Sequence, residues 1–443
     1  MDKKAFGRSK WTALMLFGIV GQIAWSVENM YFNLFVFETV APSLDTVTLM
    51  VQLSGIVATV ATLIVGTVSD KIGNRRKFIS YGYIIWGVTV ALFGYMSPSL
   101  TASVFNMDMT RAVTFTLGAV VVGDCIMTLF GSGANDACFN AWVTDNTETE
   151  YRGTVEGVLS ILPLAAMLIV AGGFGILVEA MGYSTLFLVL GIVISLCGIA
   201  GIFMIKDSEA LAKSGSMKDI FYGFKPSVIK SNIPFYVTLC LVMVYGVACQ
   251  TFMPYLIIYM KTYLGFSVIE YSLVFGACII LGALINLYLT RLSDRKDKTL
   301  MLYIAAGVFT LGLLLMYLFN KGSKISLLIT FGLGGFIMIV GYILISALCG
   351  SLTRDHTPAE AVGKLQGVRM VFSVLIPMVA GPMIGNAINK ARNIPLPDLD
   401  SADTMTTMYI PAPEIFLAAG IISALIFAII PLLRKSAGGK NEA

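Results

Sequence analysis

Apolar runs long enough to cross a lipid bilayer recur along nearly the whole chain. A membrane helix needs about 20 mostly apolar residues, and the runs are separated by segments that carry charged residues, Gly and Pro. Several runs exceed this length, which predicts tilted or kinked helices. About twelve membrane helices, numbered in chain order, are predicted at roughly 11–40, 47–69, 78–97, 113–143, 154–180, 184–205, 232–262, 267–290, 299–319, 325–352, 365–389 and 412–433. The predicted fold class is an all-α membrane protein.

Composition supports this class. Hydrophobic residues make up 57% of the 443 residues and charged residues 13%, with a mean hydropathy of +0.84. A soluble domain carries about twice that charge, and one aqueous core could not bury so much apolar surface. The lipid bilayer is therefore an expected partner. Nucleic acid is not expected to bind, because the basic residues lie in loops and form no stripe.

The sequence predicts no metal site, no cofactor and no enzymatic activity. All seven cysteines lie inside apolar runs, where Cys behaves as a small hydrophobic residue. The sequence has a single histidine, His356, which excludes a His-rich metal site. A Walker motif, a nucleophile elbow and a Ser/His/Asp grouping are all missing from the sequence. The apolar run after the basic segment 1–10 is too long for a signal peptide and is interpreted as the first membrane helix.

Lys and Arg determine the predicted orientation. If the N-terminus is cytoplasmic, 24 of the 30 basic residues lie inside and 6 lie outside, as the positive-inside rule requires. We therefore expect a multi-pass protein of the plasma membrane with both termini in the cytoplasm. A cytoplasmic linker, 206–231, separates an N-terminal six-helix bundle, 1–205, from a C-terminal six-helix bundle, 232–443. A short amphipathic helix on the membrane surface is expected within 207–230.

The two halves repeat one another in sequence. The pattern D-x-T followed by G-x-x-x-G at 145–157 recurs 210 residues later at 355–367. The triplet S-D-K at 69–71 recurs as S-D-R at 293–295, at an offset of 224. An extra outside segment around 99–111 accounts for the difference between the two offsets. One insertion reconciles both, so two pseudo-symmetric six-helix halves are predicted.

Polar residues follow one side of the first membrane helix. The stripe consists of Gln22, Trp25, Ser26, Asn29 and Asn33, with Trp25 at its edge. Such a stripe is expected to face a cavity, or alternatively to form a hydrogen-bonded seam with another helix. Glu28 projects about 100° from the axis of the stripe, at the helical rotation of 100° per residue. We therefore expect Glu28 to pair with a neighbouring helix.

Helices four and seven carry further candidates. A polar face on helix four consists of Asp124, Thr128, Gly131, Asn135 and Trp142. Asp136 projects away from that face at 100° per residue, and Trp142 is equally well explained as an interfacial anchor. On helix seven, Gln250 accompanies an aromatic face of Tyr245, Phe252, Tyr255 and Tyr259. Such a face is typical of packing, but it also suits sugar rings, which offer an apolar C–H face and a rim of hydroxyl groups.

These helices give the predicted binding and coupling residues. The residues expected to bind substrate are Gln22, Trp25, Asn29, Asn33, Asp124, Asn135, Gln250 and Tyr255. The acids inside spans, Glu28, Asp124 and Asp136, are expected to carry a coupling proton. An ionisable group in the bilayer is costly unless it is paired or hydrated, and burial favours the protonated carboxyl group while hydration favours the ionised one. Glu28 and Asp124 are preferred, because Asp136 lies off the polar face.

A predicted conformational latch lies in the cytoplasmic loops. Asp70 and Asp294 end helices two and eight, and we expect them to face the starts of helices eleven and five, whose free N–H groups attract acids. Three arginines of these loops are expected to pair with Asp145 or Glu148: Arg75, Arg76 and Arg152. Solvated loop charge is the simpler alternative. The latch residues are Gly66, Asp70, Arg75, Arg76, Asp145, Arg152, Gly153, Asp294, Arg295, Asp355, Gly363 and Arg369.

The pattern G-x-x-x-D-K-x-G-x-R-R at 66–76 resembles the signature loop between helices two and three of the major facilitator superfamily, from which it departs at Asn74. Further segments look like a bacterial group near the glycoside–pentoside–hexuronide cation symporters and the proton-coupled sucrose carriers. These segments are 25–33, 140–145, 152–157 and 367–369. The resemblance implies a monomeric secondary active transporter that works by alternating access and imports a sugar or glycoside together with a cation.

The resemblance also bears on the coupling ion. Sodium-coupled sugar transporters of that group carry two aspartates on helix two, where this chain has Ala58 and Thr62. The implied coupling ion is therefore a proton rather than sodium. Two alternatives remain open: proton-driven efflux of an amphiphilic compound, which Met- and Phe-rich helices would tolerate, and a receptor or scaffold that does not transport. The charged groups in helices one and four argue against a passive scaffold.

Overall fold

The structure is a computed structural model that describes residues 7–147, 152–207, 217–293, 297–358, 364–396 and 408–438. It confirms the all-α class. The α-helices of the described residues are α1 (Arg8–Val27), α2 (Asn33–Phe35), α3 (Leu44–Ile72), α4 (Arg75–Phe93), α5 (Pro98–Phe105), α6 (Met109–Gly131), α7 (Asn140–Asn146), α8 (Arg152–Ile169), α9 (Gly175–Met204), α10 (Pro226–Ser231), α11 (Ile233–Phe252), α12 (Leu256–Thr262), α13 (Val268–Ser293), α14 (Lys298–Leu318), α15 (Lys324–His356), α16 (Gln366–Met370), α17 (Ile376–Arg392), α18 (Glu414–Ala424) and α19 (Ile426–Gly438).

Several long helices contain turns of a different pitch. The π-helical segments are Glu28–Phe32, Val36–Val40, Ser132–Phe139, Val170–Phe174 and Val371–Leu375, and the 3₁₀ segments are Met217–Phe224 and Met253–Tyr255. Such π-helical turns are rare and are found frequently at functional sites. The strands β1 (Ile394–Pro395) and β2 (Tyr409–Ile410) form a short antiparallel pair.

The number of membrane helices agrees with the prediction once two interruptions are considered. Among the described residues, ten helices are long and apolar enough to cross a bilayer, and the pair α4 and α5, bent by 91°, raises the number to eleven. One of the ten, Gly157–Met204, has 48 residues, which is about 70 Å of helix at 1.5 Å per residue and twice the thickness of the hydrocarbon core. Gly182 interrupts it with a φ of 77°, a conformation that favours glycine. This stretch therefore provides two of the predicted spans.

The chain divides into two compact units. The first unit contains Met1–Ala41 and Leu53–Asp219, and the second contains Pro42–Gln52 and Ile220–Ala443. The helix α3 thus contributes its first turns to the second unit and the rest to the first. This grouping of Pro42–Gln52 was not part of the linear division predicted from the sequence.

Hydrogen bonds fix the first turns of α3 within the second unit. Asp45 accepts hydrogen bonds from Asn386 Nδ2 at 2.6 Å and from Tyr409 Oη at 3.2 Å. One turn later, the hydroxyl groups of Thr48 and Tyr255 are 2.7 Å apart. These contacts join α3 to α17, to β2 and to the 3₁₀ segment that follows α11, so the start of α3 is a packed part of this unit.

Small residues bring helices close together inside each unit. In the first unit, α4 lies along α9, and a Cβ on Gly87 would overlap the backbone at Gly191. In the second unit, α14 lies along α15, where Gly312 meets the backbone of Met338. Membrane helices associate mainly through such close packing, because lipid is as apolar as their side chains.

The linker packs on the second unit. Its described part consists of the 3₁₀ segment Met217–Phe224 and α10. Tyr222 lies against an apolar cluster, and Lys225 and Lys364 lie over its ring at 5.6 and 5.4 Å from the centroid. The cluster contains Val228, Phe235, Tyr236, Leu239, Leu365 and Val368. The linker is therefore attached to α11 and α16 by buried apolar side chains.

Candidate functional site

Two acids of the first unit are linked through hydroxyl groups. Thr128 Oγ1 of α6 donates to Glu28 Oε1 at 3.1 Å. The Ser54 hydroxyl of α3 lies 3.1 Å from Thr128 Oγ1 and donates to Asp124. All four side chains are buried. The predicted pairing of Glu28 with a neighbouring helix is therefore confirmed.

The electrostatics of this acid pair differ from those of an ordinary ion pair. Among the described residues, no Lys or Arg forms a salt bridge with Glu28 or Asp124. Glu28 Oε2 is buried and has no hydrogen-bond partner in the described part of the chain. Two carboxylates in one low-dielectric site oppose each other's ionisation. The arrangement can therefore store a proton.

Asp136 lies beside the polar stripe rather than away from it. Its Oδ1 accepts from Trp25 Nε1 at 3.2 Å and from Asn135 Nδ2 at 3.0 Å. The projection at 100° per residue was wrong here, because Ser132–Phe139 is π-helical and i→i+5 bonding turns each residue through a smaller angle. The structure thus brings together three predicted site residues from α1 and the π-helical segment.

Sequence reasoning missed three partners of this site. Ser54 donates to Asp124 and lies beside Thr128, and the buried Tyr83 of α4 donates to Asn135 Oδ1 at 2.7 Å. Trp86 packs on Trp25, with ring centroids 5.1 Å apart. The spacing i, i+3 places Tyr83 and Trp86 on one face of a helix, a signal that could have identified them. Ser54 is one of several hydroxyl residues in a long apolar run, so its position in the sequence did not distinguish it.

The amide groups further along the first helix bond to their own backbone. Asn29 Nδ2 donates to Trp25 O at 2.8 Å, and Asn33 Nδ2 donates to Asn29 O at 3.1 Å. The alternative of a seam between helices is therefore not supported by these two amides. Asn29 is exposed and Asn33 is buried, while Gln22 and Trp25 are partly exposed.

The candidates of helix seven belong to the second unit and are mainly packing residues. Tyr255 is buried and donates to Pro382 O at 2.9 Å. Tyr245 donates to Tyr342 O at 3.0 Å, and its ring packs on Phe309. Gln250 is partly exposed and its Cβ lies against Gly381. The packing interpretation of this aromatic face agrees with these contacts.

Trp142 does not have the exposure of an interfacial anchor. It is buried, stacks on Phe139 with centroids 6.0 Å apart and donates from Nε1 to Lys206 O at 2.8 Å. It therefore connects the end of α7 with the residues that follow α9.

Arg75 is the centre of the polar network at the predicted latch of the first unit. Its guanidinium forms an ion pair with Asp70 and donates from Nε to Asp145 Oδ2 at 2.9 Å. Its Nη1 also donates to Ser69 Oγ at 2.7 Å. The predicted pairing of Arg75 with Asp145 is confirmed. Arg76 is exposed, and its backbone N–H donates to Asp207 Oδ1 at 3.0 Å.

The second unit has a similar pair at the repeated position. Asp355, which follows Asp145 by 210 residues, accepts from Lys298 Nζ at 2.6 Å. Lys298 begins α14, as Arg75 begins α4. In both units, a basic residue at the start of one helix thus pairs with an acid at the end of the next long helical segment.

The structure describes some of the other predicted latch residues and not the rest. Gly66 lies in α3 near Ala137, and Arg369 lies in α16. The backbone of Arg152 and Gly153 begins α8. Asp294, Arg295 and Gly363 lie outside the described residues. The predicted contacts of Asp70 and Asp294 with the starts of other helices stay predictions. A search of the described residues for three or more His, Cys, Asp or Glu side chains that could hold a metal found none.

Comparisons with known proteins identify the family. Residues 14–382 match the profile of the Major Facilitator Superfamily. The multi-drug resistance efflux pump PmrA homolog of Lactococcus lactis subsp. lactis (strain IL1403) is 22% identical over 318 residues, which are 68% of this chain and 75% of that protein.

Solved transporters share the fold. The nucleoside transporter NupG is similar with a TM-score of 0.65 at 10% identity, over 97% of this chain and 100% of its own. A bacterial homolog of the human lysosomal transporter Spinster gives 0.64 at 13% identity, over 97% of both chains. A bacterial homologue of the iron transporter ferroportin gives 0.63 at 15% identity, over 96% of this chain and 98% of its own. At these identities the likeness shows the fold alone. Because the family profile covers most of its length, the chain belongs to the Major Facilitator Superfamily of secondary transporters.

Proposed function

We propose that the protein couples the movement of its small-molecule substrate across the bilayer to a proton. The observation that supports this proposal is the buried cluster of Glu28 and Asp124, each of which accepts a hydrogen bond from a neighbouring hydroxyl group, Thr128 and Ser54 respectively. Burial without a cation disfavours two ionised carboxylates, and hydration would favour release of a proton. A change in water access during alternating access would therefore load and unload this pair.

The residues of α3 favour a proton over sodium. Ala58 and Thr62 are buried and offer no carboxylate at the positions where the sodium-coupled sugar transporters named above carry aspartates. The acids nearest to the polar stripe come from the first helix and from α6 and its π-helical extension. A carboxyl group can bind and release a proton by itself. Proton coupling therefore does not need the set of coordinating ligands that a sodium ion requires.

We further propose that the substrate is a sugar or a glycoside that the cell takes up. Trp25 offers a partly exposed ring beside the carboxylate of Asp136 and the amide of Asn135. Gln22 and Asn29, on the same stripe, add amide groups that are at least partly exposed. An aromatic face next to such a polar rim matches the apolar C–H face and the hydroxyl groups of a sugar.

A second candidate function is proton-driven efflux of an amphiphilic compound. It is favoured by the similarity to a protein named as a multi-drug resistance efflux pump. The same buried acids would then exchange a proton for a cationic amphiphile. A receptor or scaffold that does not transport would not need the acid pair, whose burial costs free energy without a paired cation.

The Arg75 network is proposed as part of the conformational latch, in a monomeric protein of the plasma membrane with both termini in the cytoplasm. Labelling of single cysteines in intact cells tests the orientation. A cysteine at Ser227 should react only after the membrane is permeabilised, and one at Lys390 should react with an impermeant reagent from outside. Reaction of both positions from the same side would contradict the proposed orientation.

Transport by the purified protein in proteoliposomes tests the proposed function. An inward proton gradient should drive accumulation of a labelled sugar or glycoside, and a protonophore should abolish it. A thermal-shift screen selects the compounds, since a ligand that binds only the folded state raises its stability. Accumulation driven by sodium and indifferent to protons would contradict proton coupling. Movement of a cationic amphiphile against the direction of proton flow would favour efflux.

A further inference from the structure

A cavity of about 550 Å³ lies between the start of α11 and the end of α19. Its polar lining residues are Lys230, Ser231, Lys435 and Ser436. Its apolar lining residues are Ile233, Pro234, Val237 and Leu432. All belong to the second unit, and none takes part in the acid pair or in the latch. The proposed transport function therefore does not account for this cavity.

The described lining of the cavity carries positive charge. In the described part of the chain, neither Lys230 nor Lys435 forms a salt bridge, and the lining contains no acidic side chain. The hydroxyl groups of Ser231 and Ser436 donate to Ser227 O at 2.8 Å and to Leu433 O at 2.9 Å. The lysines are thus the free donors of the polar lining, and their charge is complementary to an anion.

The surroundings favour a lipid over a soluble anion. Ile233 is 51% exposed and Leu432 is 57% exposed, and the exposed Leu425 and Ile421 precede Leu432 on the last two helices. In a membrane protein, exposed apolar side chains of spanning helices contact acyl chains. A phospholipid would satisfy both parts of the lining, because its phosphate would meet the lysines and its chains would cover the apolar side chains. A soluble anion would leave the apolar part without a partner.

We propose that this cavity binds an anionic phospholipid, with its phosphate between Lys230 and Lys435. The volume falls within the range of about 300–1,000 Å³ that is typical of small-ligand pockets. It therefore accommodates the head group and the start of the acyl chains, whose remainder lies along α18 and α19. The predicted orientation puts this end of the helices in the cytoplasmic leaflet, where basic residues are attracted to anionic lipids. Because Lys230 belongs to α10, the lipid would connect the linker with the last helix.

Lipid binding to the purified full-length protein tests this proposal. Native mass spectrometry would compare phosphatidylglycerol with phosphatidylcholine that has the same acyl chains. The double variant K230Q/K435Q should bind phosphatidylglycerol about 30-fold more weakly, since each basic residue near an anionic lipid surface contributes about 1 kcal/mol and 1.4 kcal/mol is a factor of ten. Binding of phosphatidylcholine should be weak and unchanged. Unchanged phosphatidylglycerol binding by this variant would overturn the proposal.

Matched variants separate this site from general surface charge. K321Q/K390Q removes two exposed lysines of the same unit that do not line the cavity, and K230R/K435R keeps the charge. Both should bind phosphatidylglycerol like the wild type, and an equal loss in K321Q/K390Q would overturn the proposal. Stabilisation by inorganic phosphate as large as that by phosphatidylglycerol would assign a soluble anion instead. Should the double variant fold poorly, the single variants K230Q and K435Q, each about 5-fold weaker, provide the same test.

Discussion

The two units treat ionisable side chains differently. The first unit buries Glu28 and Asp124 and partly buries Asp136. At the repeat offset of 210, the counterparts of Asp124 and Asp136 are Gly334 and Ser346, and no described acid of the second unit is buried. The internal repeat therefore preserves the helices but not the charges within them. If the buried acids carry the coupling proton, as proposed above, the coupling chemistry lies in one half of the duplicated scaffold.

The loops that carry the predicted latch show a smaller difference of the same kind. Both units pair a base with an acid at the repeated position, Arg75 with Asp145 and Lys298 with Asp355. The Arg75 side chain is only 8% exposed, whereas that of Lys298 is 37% exposed. Arg75 also has two further partners, Asp70 and Ser69, whereas Lys298 has one in the described part of the chain, Ser351 Oγ at 2.9 Å. The repeat has thus kept the pairing while its burial and connectivity have diverged.

The largest expected effect concerns the buried acids. Glu28→Gln and Asp124→Asn should each abolish accumulation of substrate driven by a proton gradient while leaving exchange of substrate partly intact, because exchange needs no net proton transfer. The matched change in the second unit is Glu270→Gln, which removes an acid paired with Lys324 at 2.9 Å, and it should leave accumulation unchanged. Transport in proteoliposomes measures both activities.

Two results would break the comparison between the units. If both neutralised variants accumulated substrate like the wild type, the acid pair would not carry the coupling proton. If Glu270→Gln abolished accumulation as well, ionisable groups of the second unit would share the coupling, and the concentration of acids in the first unit would have no functional meaning.

The second prediction concerns substrate affinity at Trp25. Trp25→Ala removes the ring, whose hydrogen bond to Asp136 holds it beside the amide of Asn135, and should weaken binding by about 0.5–1.5 kcal/mol through loss of the aromatic contact. Trp25→Phe keeps an aromatic ring and should lose about half of that. Tyr255→Phe, in the second unit, should change affinity least. Equal losses for Trp25→Phe and Trp25→Ala in a binding titration would contradict a sugar-stacking role.

Periodicity in the sequence predicted the helices, the polar stripe and the neighbouring-helix partner of Glu28. These features depend on local spacing and on the cost of a charge in the bilayer. The direction of Asp136 was missed, because the π-helical turn changes the rotation and leaves no mark in the hydrophobic pattern. The contact of Ser54 with Asp124 was missed as well, because it depends on how α3 packs against α6. Arg75 and Asp145 were paired correctly, because few acids were available near the loop.

The third prediction compares the two loop pairs by stability. Arg75→Ala should lower the free energy of unfolding by about 1–3 kcal/mol, because it removes several hydrogen bonds of a buried group. Lys298→Ala breaks a pair whose side chains are 37% and 48% exposed, together with a hydrogen bond to Ser351, and should cost about 0.2–1 kcal/mol. Unfolding in detergent by denaturant measures both values. Equal costs would mean that burial does not distinguish the two loops.

The smallest expected effect on stability concerns Asp70. In the first unit, Asp70 pairs with Arg75 and its side chain is partly exposed. Asp70→Asn leaves Arg75 its contacts with Asp145 and Ser69, so the stability cost should be about 0.2–1 kcal/mol. A second effect is expected if Asp70 also contacts free N–H groups at the start of another helix, where an acid contributes about 0.3–2 kcal/mol. Neutralising it would then favour the state that is open to the cytoplasm.

Accessibility and stability distinguish these two roles of Asp70. A reporter cysteine in a cysteine-free background, placed on the cytoplasmic side, should react faster in Asp70→Asn than in the parent protein. Asp145→Asn is the matched control, because it also removes an acid from Arg75 but is not predicted to face another helix start. A lower stability in both variants with unchanged labelling would show that Asp70 only supports Arg75. Faster labelling in Asp70→Asn alone would show that this acid acts on the conformational equilibrium, and Asp294→Asn would then test whether its repeat counterpart does the same.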